Sequence, residues 1–226
     1  MKIRFSKQKL YLKNSELMAG FLRIITLLIL TIPFNRALAR EWDKLTEKEK
    51  NKLLQGEVIY QSVKSTDAED RLSGYGQSLA VVNAPIEKCW EIFTQYEQQQ
   101  EYFPRKTLSR VIDQKPGLVL VQKEFKFYWA KIKYVNQYKI DPKNFRIDFQ
   151  IDQTYPHDLK DSAGFFLFEK ISPDTTLFIY AVTKLDTGIK TPQFIQTYIQ
   201  KRDLPAVAEN VRKRIESNGT WKKQAE

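Results

Sequence analysis

Few residues of the 226-residue sequence have the types and spacing that catalysis or metal binding needs. Cys89 is the only cysteine and His157 the only histidine, so the usual zinc, copper and haem ligand sets cannot be assembled. Cysteine-protease chemistry would need an imidazole base beside the thiolate of Cys89. Cys89 instead lies between Lys88 and Trp90 in a helical pattern, which favours a small buried apolar side chain.

His157 is the side chain whose unperturbed pKa lies nearest neutral pH, and Asp158 beside it would suit a general base. Its loop contains Pro156, however, and a histidine there is more typical of a solvated or loop-anchoring residue. The sequence has no Ser-His-Asp spacing, nucleophile elbow, Walker loop, dinucleotide fingerprint or closely spaced carboxylate pair. We therefore predict no catalytic residue, no metal site and no cofactor.

The net charge of +10 suggests a polyanionic partner until its distribution is considered. Residues 1–39 contain seven basic side chains and one acidic one, which leaves +4 for the rest of the chain. This weak excess predicts no nucleic-acid partner.

Residues 1–39 have the layout of a cleaved signal peptide. A basic stretch precedes an apolar run at 24–34, and Ala37 and Ala39 supply the small residues that a signal peptidase reads. An uncleaved spanning helix would need about 20 apolar residues, more than this run provides. We predict cleavage after Ala39 and export, to the periplasm. An exported protein with only Cys89 forms no internal disulfide, so its core must hold it together.

The remaining chain has the patterns of an α+β domain. Residues 40–56 are predicted to form an N-terminal helical segment with one short helix from Glu41 to Gln55. Within it, Thr46 and Glu49 have the spacing of a capping box. After Ser109, apolar and polar residues alternate with a period of two, which predicts antiparallel strands with one solvent-exposed face. Two later strands, Phe165 to Ile171 and Leu177 to Lys184, are apolar at nearly every position and are predicted to be buried on both faces. A long helix is predicted from Pro192 to Ser217, bent or divided near Asp203 because Pro205 lies inside it.

Several segments, in their order, resemble the START and polyketide-cyclase superfamily, which includes the birch-pollen-allergen proteins. They are Leu79–Trp90, Tyr96–Arg105, Asp158–Gly164, Thr176–Tyr180, Asp186–Gly188, Pro192 and Arg202–Pro205. The resemblance implies a helix-grip fold over residues 57–217, in which a curved antiparallel β-sheet wraps around a long C-terminal α-helix. Residues 218–226 then form a C-terminal tail.

The resemblance also implies an apolar cavity between the sheet and the helix, and a non-catalytic protein that binds a lipid or other apolar small molecule. Two alternatives remain: a polyketide cyclase or aromatase using the same cavity, and a ligand-free interaction module. We expect the cavity at the N-terminal end of the C-terminal helix, near the Tyr102-Phe103-Pro104 helix end. The candidate ligand-binding residues are Phe103, Phe127, Trp129, Tyr134, Phe149, Tyr180, Phe194 and Tyr198.

A peripheral membrane contact is the remaining partner that the sequence suggests. The C-terminal helix and the tail carry several basic side chains that could contact anionic lipid headgroups. They are Lys201, Arg202, Arg212, Lys213 and Arg214 on the helix and Lys222 and Lys223, next to Trp221, in the tail. A solvated helix face with cations at its C-terminal end is the more ordinary explanation. The sequence indicates no oligomeric state.

Overall fold

The computed structural model of the protein describes residues 40–66, 72–127, 130–186 and 199–224. Contacts divide the chain into two units, residues 1–39 and 40–226, and all described residues belong to the second. The predicted signal peptide and the predicted start of the C-terminal helix therefore lie outside the described residues.

Eight antiparallel strands form one open sheet in the spatial order β1-β2-β8-β7-β6-β5-β4-β3. The strands are β1 Ile59–Thr66, β2 Leu72–Val82, β3 Lys106–Lys115, β4 Leu118–Phe127, β5 Ala130–Asp141, β6 Arg146–Ile151, β7 Asp161–Ser172 and β8 Thr175–Asp186. The antiparallel pairing confirms the prediction that was based on the alternation of apolar and polar residues along the strands. Because β2 pairs with β8, the chain leaves the sheet after β2 and returns at the far edge as β3.

Five α-helices accompany the sheet in the described part of the chain: α1 Glu41–Lys44, α2 Glu47–Leu54, α3 Ile86–Phe93, α4 Gln99–Tyr102 and α5 Leu204–Glu216. A 3₁₀ turn, Tyr96–Gln98, leads into α4, and a π-helical turn, Ile199–Asp203, leads into α5. The helix type changes at Asp203, where Pro205 predicted a bend or a division, but Asp203 keeps helical backbone angles, φ −76° and ψ −37°, so the π-helical turn continues directly into α5.

The N-terminal helix is two helices, and the prediction of one continuous helix was wrong. Thr46 has extended backbone angles, φ −66° and ψ 154°, and its hydroxyl accepts a hydrogen bond from the Glu49 N–H. The Thr46 N–H in turn donates to Glu49 Oε2 at 2.9 Å. The capping box is thus present, but a helix cap cannot itself be helical. Extended backbone angles at Leu45, which caps the end of α1, and at Thr46, which caps the start of α2, separate the two helices.

The sheet is buried on both faces along its centre. On one face the main core joins the sheet to α3, α4 and α5; its members include Ala80, Val82, Phe93, Phe166, Phe178 and Val211. On the other face α1 and α2 cover a second cluster, formed by Leu45, Leu53, Leu79, Val81, Leu177 and Ile179. This confirms the predicted double burial for the centre of β8, residues 176–179. On β7, by contrast, Phe165 and Leu167 are only partly buried on the face that α1 and α2 cover, and Lys184 near the end of β8 is exposed.

Candidate functional site

A cavity of about 200 Å³ lies between the sheet and the N-terminal end of α5. The chain between α4 and β3 forms one wall through Phe103, Pro104 and Arg105, and α5 contributes Leu204 and Val207. The sheet provides most of the remaining lining, including Lys123, Phe125, Ile132, Tyr134, Asn136, Phe149, Ser162, Phe166, Tyr180 and Val182. The lining by Phe103 and Pro104 agrees with the predicted position near the end of α4, whereas the predicted start of the C-terminal helix, around Phe194, lies outside the described residues.

Aromatic packing shapes the floor of the cavity. The Phe166 ring stacks on Tyr180, with centroids 4.9 Å apart, and lies 5.2 Å from the Phe149 ring. Phe149 pairs across the sheet with Gly164. A Cβ atom at Gly164 would lie 2.6 Å from Phe149 Cζ and 2.0 Å from the Ala181 carbonyl oxygen. The glycine therefore makes room for the Phe149 ring.

Four of the eight predicted ligand-binding residues line the cavity, and their role as ligand contacts stays a prediction. Phe127 ends β4, but the structure does not describe its side chain. Trp129, Phe194 and Tyr198 lie outside the described residues. The four on the wall are Phe103, Tyr134, Phe149 and Tyr180.

Two polar residues of the cavity, Lys123 and Asn136, were missed in the sequence analysis. The exposed fraction is 4% for Lys123 and 1% for Asn136. Lys123 falls between Val121 and Phe125 on β4, and Asn136 follows Tyr134 by two residues on β5. The alternation that assigned their neighbours to the inward face assigns these two residues there as well. Only their polar character argues against the inward position that the alternation gives them.

Lys123 has an apolar environment. Its Nζ lies 4.6 Å from the centroid of the Tyr138 ring, 5.7 Å from that of Phe149 and 6.0 Å from that of Tyr134. Aromatic faces stabilise a cation only in part. Loss of hydration on burial lowers the pKa of Lys123 to about 7, so the amine is partly neutral near physiological pH.

An ion pair lies at the α5 end of the cavity. Arg105 Nε is 3.2 Å from Asp203 Oδ2, and both side chains are less than one-fifth exposed. Arg105 has a φ of 57°, a left-handed conformation that is uncommon for a residue with a side chain. Burial raises the pKa of Tyr134 and of Tyr180, so both hydroxyls remain neutral. The charged groups that the structure describes on the wall are this pair and Lys123.

The other chemically capable residues lie away from the cavity. His157 is exposed, and its Nδ1 is 2.8 Å from the Tyr155 carbonyl oxygen, while the Asp158 carboxylate accepts a hydrogen bond from the Lys133 N–H at 2.7 Å. These contacts are those of a loop anchor. Cys89 is fully buried, as predicted, and burial raises the pKa of its thiol to about 11. Among the described residues, no group of three or more His, Cys, Asp or Glu could hold a metal ion.

The predicted cationic face of the C-terminal helix needs one correction. Arg214 is only 3% exposed and forms an ion pair with Glu101, so it is neither solvated nor available to lipid headgroups. The reason is that the tail after α5 folds back: Arg214 Nη1 donates to the Trp221 carbonyl oxygen at 2.8 Å. A membrane contact by the remaining cations stays a prediction. Within the described ranges, no helix is both long and apolar enough to cross a membrane.

Solved structures with this architecture are numerous, although no protein-family model matches the sequence and no curated protein matches it. A STAR-related lipid transfer protein from Xanthomonas axonopodis is 8% identical, with a TM-score of 0.58 over 70% of this chain and 93% of its own. Human StAR-related lipid transfer protein 5 is 12% identical, with a TM-score of 0.56 over 72% and 83%. The Zhui aromatase/cyclase from Streptomyces sp. R1128 is 16% identical, with a TM-score of 0.53 over 64% and 97%.

The chain has the helix-grip fold. The resemblance to the START and polyketide-cyclase superfamily is therefore confirmed at the level of the fold, together with the α+β class. Identities this low establish the fold and not the ligand, and the same helix-grip architecture serves lipid-transfer proteins and aromatase/cyclases. The function must be argued from the cavity of this chain.

Proposed function

We propose that the protein binds a lipid or another apolar small molecule in the cavity between the sheet and α5, without transforming it. The observation that carries this proposal is the cavity itself, a partly open space of about 200 Å³ with a mostly apolar and aromatic wall. Ligand pockets typically measure about 300–1,000 Å³, so the part of the ligand enclosed here is small, such as a short acyl chain or a single ring system.

Binding without chemistry is favoured over cyclase activity by the acids and bases on the wall. Asp203 is the carboxylate among the described lining residues, and Arg105 is paired with it. General acid-base catalysis needs titratable groups free to exchange a proton with the ligand. The ion-paired Asp203 is poorly suited to that role, which leaves Lys123, whose pKa burial lowers to about 7, as a single candidate with no second acid or base paired with it among the described residues. The lipid-transfer proteins among the structural neighbours support a binding role for the same fold.

Filling the cavity tests this proposal. Val207 lies on α5 at the cavity wall, so Val207→Phe is expected to weaken binding of an apolar fluorescent probe by about tenfold, roughly 1.4 kcal/mol. Because the added ring occupies empty space, the free energy of unfolding should hold or rise. Ile112→Phe is the matched control, since Ile112 is exposed on β3 and is not part of the wall.

Organic extraction of the purified protein, followed by mass spectrometry, completes the test. A co-purifying apolar compound supports the binding role. A bound compound that is found together with its chemically altered product supports the cyclase alternative. A wild-type protein that yields no compound and binds no probe would be an interaction module, and the proposal would be wrong.

We also propose that the protein is exported and that residues 1–39 are removed. The contacts of Arg40 support a folded domain that begins directly after the predicted cleavage site: its guanidinium lies 3.4 Å from Glu169, and the same carboxylate accepts the Glu41 N–H at 2.7 Å. N-terminal sequencing of the protein from a host with a signal peptidase should begin at Arg40. A protein that retains Met1 would contradict this proposal.

A further inference from the structure

Lys123 is the charged side chain on the cavity wall that has no opposite charge beside it among the residues the structure describes. Arg105 and Asp203, the other charged lining residues, form an ion pair with each other. Lys123 is 4% exposed, and within the described ranges its Nζ has aromatic rings as its neighbours but no hydrogen-bond acceptor. Burial without an opposite charge disfavours the ammonium form of this amine, so an anion bound beside Lys123 would stabilise its charged form.

Asn136 supplies a second unpaired polar group on the same face. It is 1% exposed, and its Oδ1 has no hydrogen-bond partner among the described residues. Lys123 pairs across β4 and β5 with Tyr134, two residues before Asn136, so Lys123 and Asn136 are diagonal neighbours on one face of the sheet. Two unpaired polar residues in a mostly apolar wall mark the place where a ligand's polar group would lie.

We infer that the ligand carries a single carboxylate, which Lys123 binds beside Asn136 while the ligand's apolar part lies against the aromatic wall. This inference rests on the proposed binding function and specifies its ligand class. An ammonium has three N–H donors, so Lys123 can bind a carboxylate and still donate to Asn136 Oδ1. The cavity volume of about 200 Å³ suits a small acid of roughly ten non-hydrogen atoms better than a long-chain lipid.

Three eight-carbon probes that differ in charge test the inference: octanoate, 1-octanol and octylammonium, each titrated calorimetrically at pH 7. Wild-type protein should bind octanoate at least tenfold more tightly than 1-octanol, and octylammonium least tightly. Lys123→Met should remove the preference for octanoate and leave 1-octanol binding unchanged or tighter. Lys126→Met, an exposed lysine on the same strand, is the matched control and should behave as wild type.

The outcomes separate this inference from the proposed function. Equal binding of the three probes, or an octanoate preference that survives in Lys123→Met, would overturn the carboxylate assignment and leave the apolar binding site standing. Failure of all three probes in wild-type protein, together with failure of the fluorescent probe, would overturn both.

A measurement on wild-type protein replaces the variant if Lys123→Met does not fold. At pH 8 the protein should take up close to one proton when it binds octanoate, and this uptake makes the calorimetric binding enthalpy depend on the buffer. Binding of 1-octanol should cause no proton uptake. If octanoate binds without proton uptake, the inference is wrong. Burial lowers the pKa of Lys123 to about 7, and a bound carboxylate would favour its charged form.

Other titratable or charged groups also surround Lys123. Burial raises the pKa of the three tyrosines Tyr134, Tyr138 and Tyr180. Burial lowers the pKa of Lys106, whose Nζ donates to Gln99 away from the cavity wall, and Arg105 and Asp203 form an ion pair.

Discussion

Replacing Arg214 with alanine is expected to lower the free energy of unfolding by about 3 kcal/mol, because the change removes a buried guanidinium together with its ion pair and its charge-assisted hydrogen bonds. Arg214 lies on α5 with 3% of its surface exposed. Its Nη2 is 3.0 Å from Glu101 Oε2 and donates to Gln98 Oε1 at 2.6 Å. Its Nη1 donates to the Trp221 carbonyl oxygen at 2.8 Å. One guanidinium thus joins α5, the α4 region and the C-terminal tail.

Urea unfolding of Arg214→Ala beside Lys213→Ala measures this effect. Lys213 is the adjacent residue on α5, but its side chain is 46% exposed and its pairing with Glu209 spans 3.3 Å on the surface. Its loss should cost less than about 0.5 kcal/mol. Arg214→Lys should fall between the two, since an ammonium keeps the charge but not the fork of donors. Similar losses in the Arg214 and Lys213 alanine variants would show that the buried contacts contribute little.

Local rules predicted those parts of the fold that depend on neighbouring residues in sequence. The capping box at Thr46 formed as its spacing required, and the alternating strands after Ser109 are antiparallel. The break between α1 and α2 was missed because helical periodicity continues through Leu45 and Thr46, although the cap itself requires extended angles at Thr46. Here two local signals conflicted, and the backbone requirement of the cap determined the structure.

The errors at the site arise from contacts between residues distant in sequence. Arg214 was assigned to a solvated face because nothing in its own helix shows that the tail folds back to accept its N–H groups. Lys123 and Asn136 are a different case, because strand parity alone places both on the inward face. The sequence therefore contained the position of the buried lysine, whereas the absence of an opposite charge beside it depends on the whole wall.

The free energy of unfolding of the ligand-free protein is expected to rise by about 2 kcal/mol between pH 7 and pH 9 through Lys123 alone. Burial lowers the pKa of Lys123 in the folded protein to about 7, whereas an unfolded lysine titrates near 10.4. Between these values the unfolded chain holds a proton that the folded chain has released. Stability therefore increases with pH across this interval. Burial raises the pKa of Tyr138, Tyr134 and Tyr180, so they do not titrate in the folded protein below pH 9.

Comparison with Lys123→Met isolates the contribution of Lys123 to the pH dependence of stability. The comparison is needed because burial lowers the pKa of Lys106 too, so Lys106 also makes stability rise with pH, and because the net positive charge of the chain changes with pH. Methionine has a similar length and no charge, so the variant should be the more stable protein at pH 7, and its advantage should shrink by about 2 kcal/mol at pH 9. Lys126→Met, exposed on the same strand, should differ from wild type by a constant amount. Parallel pH profiles for wild type and Lys123→Met would mean that the amine stays charged when folded. In that case the aromatic faces of Tyr138 and its neighbours would be sufficient to hold the cation, and the cavity would not need an anionic ligand to complete it.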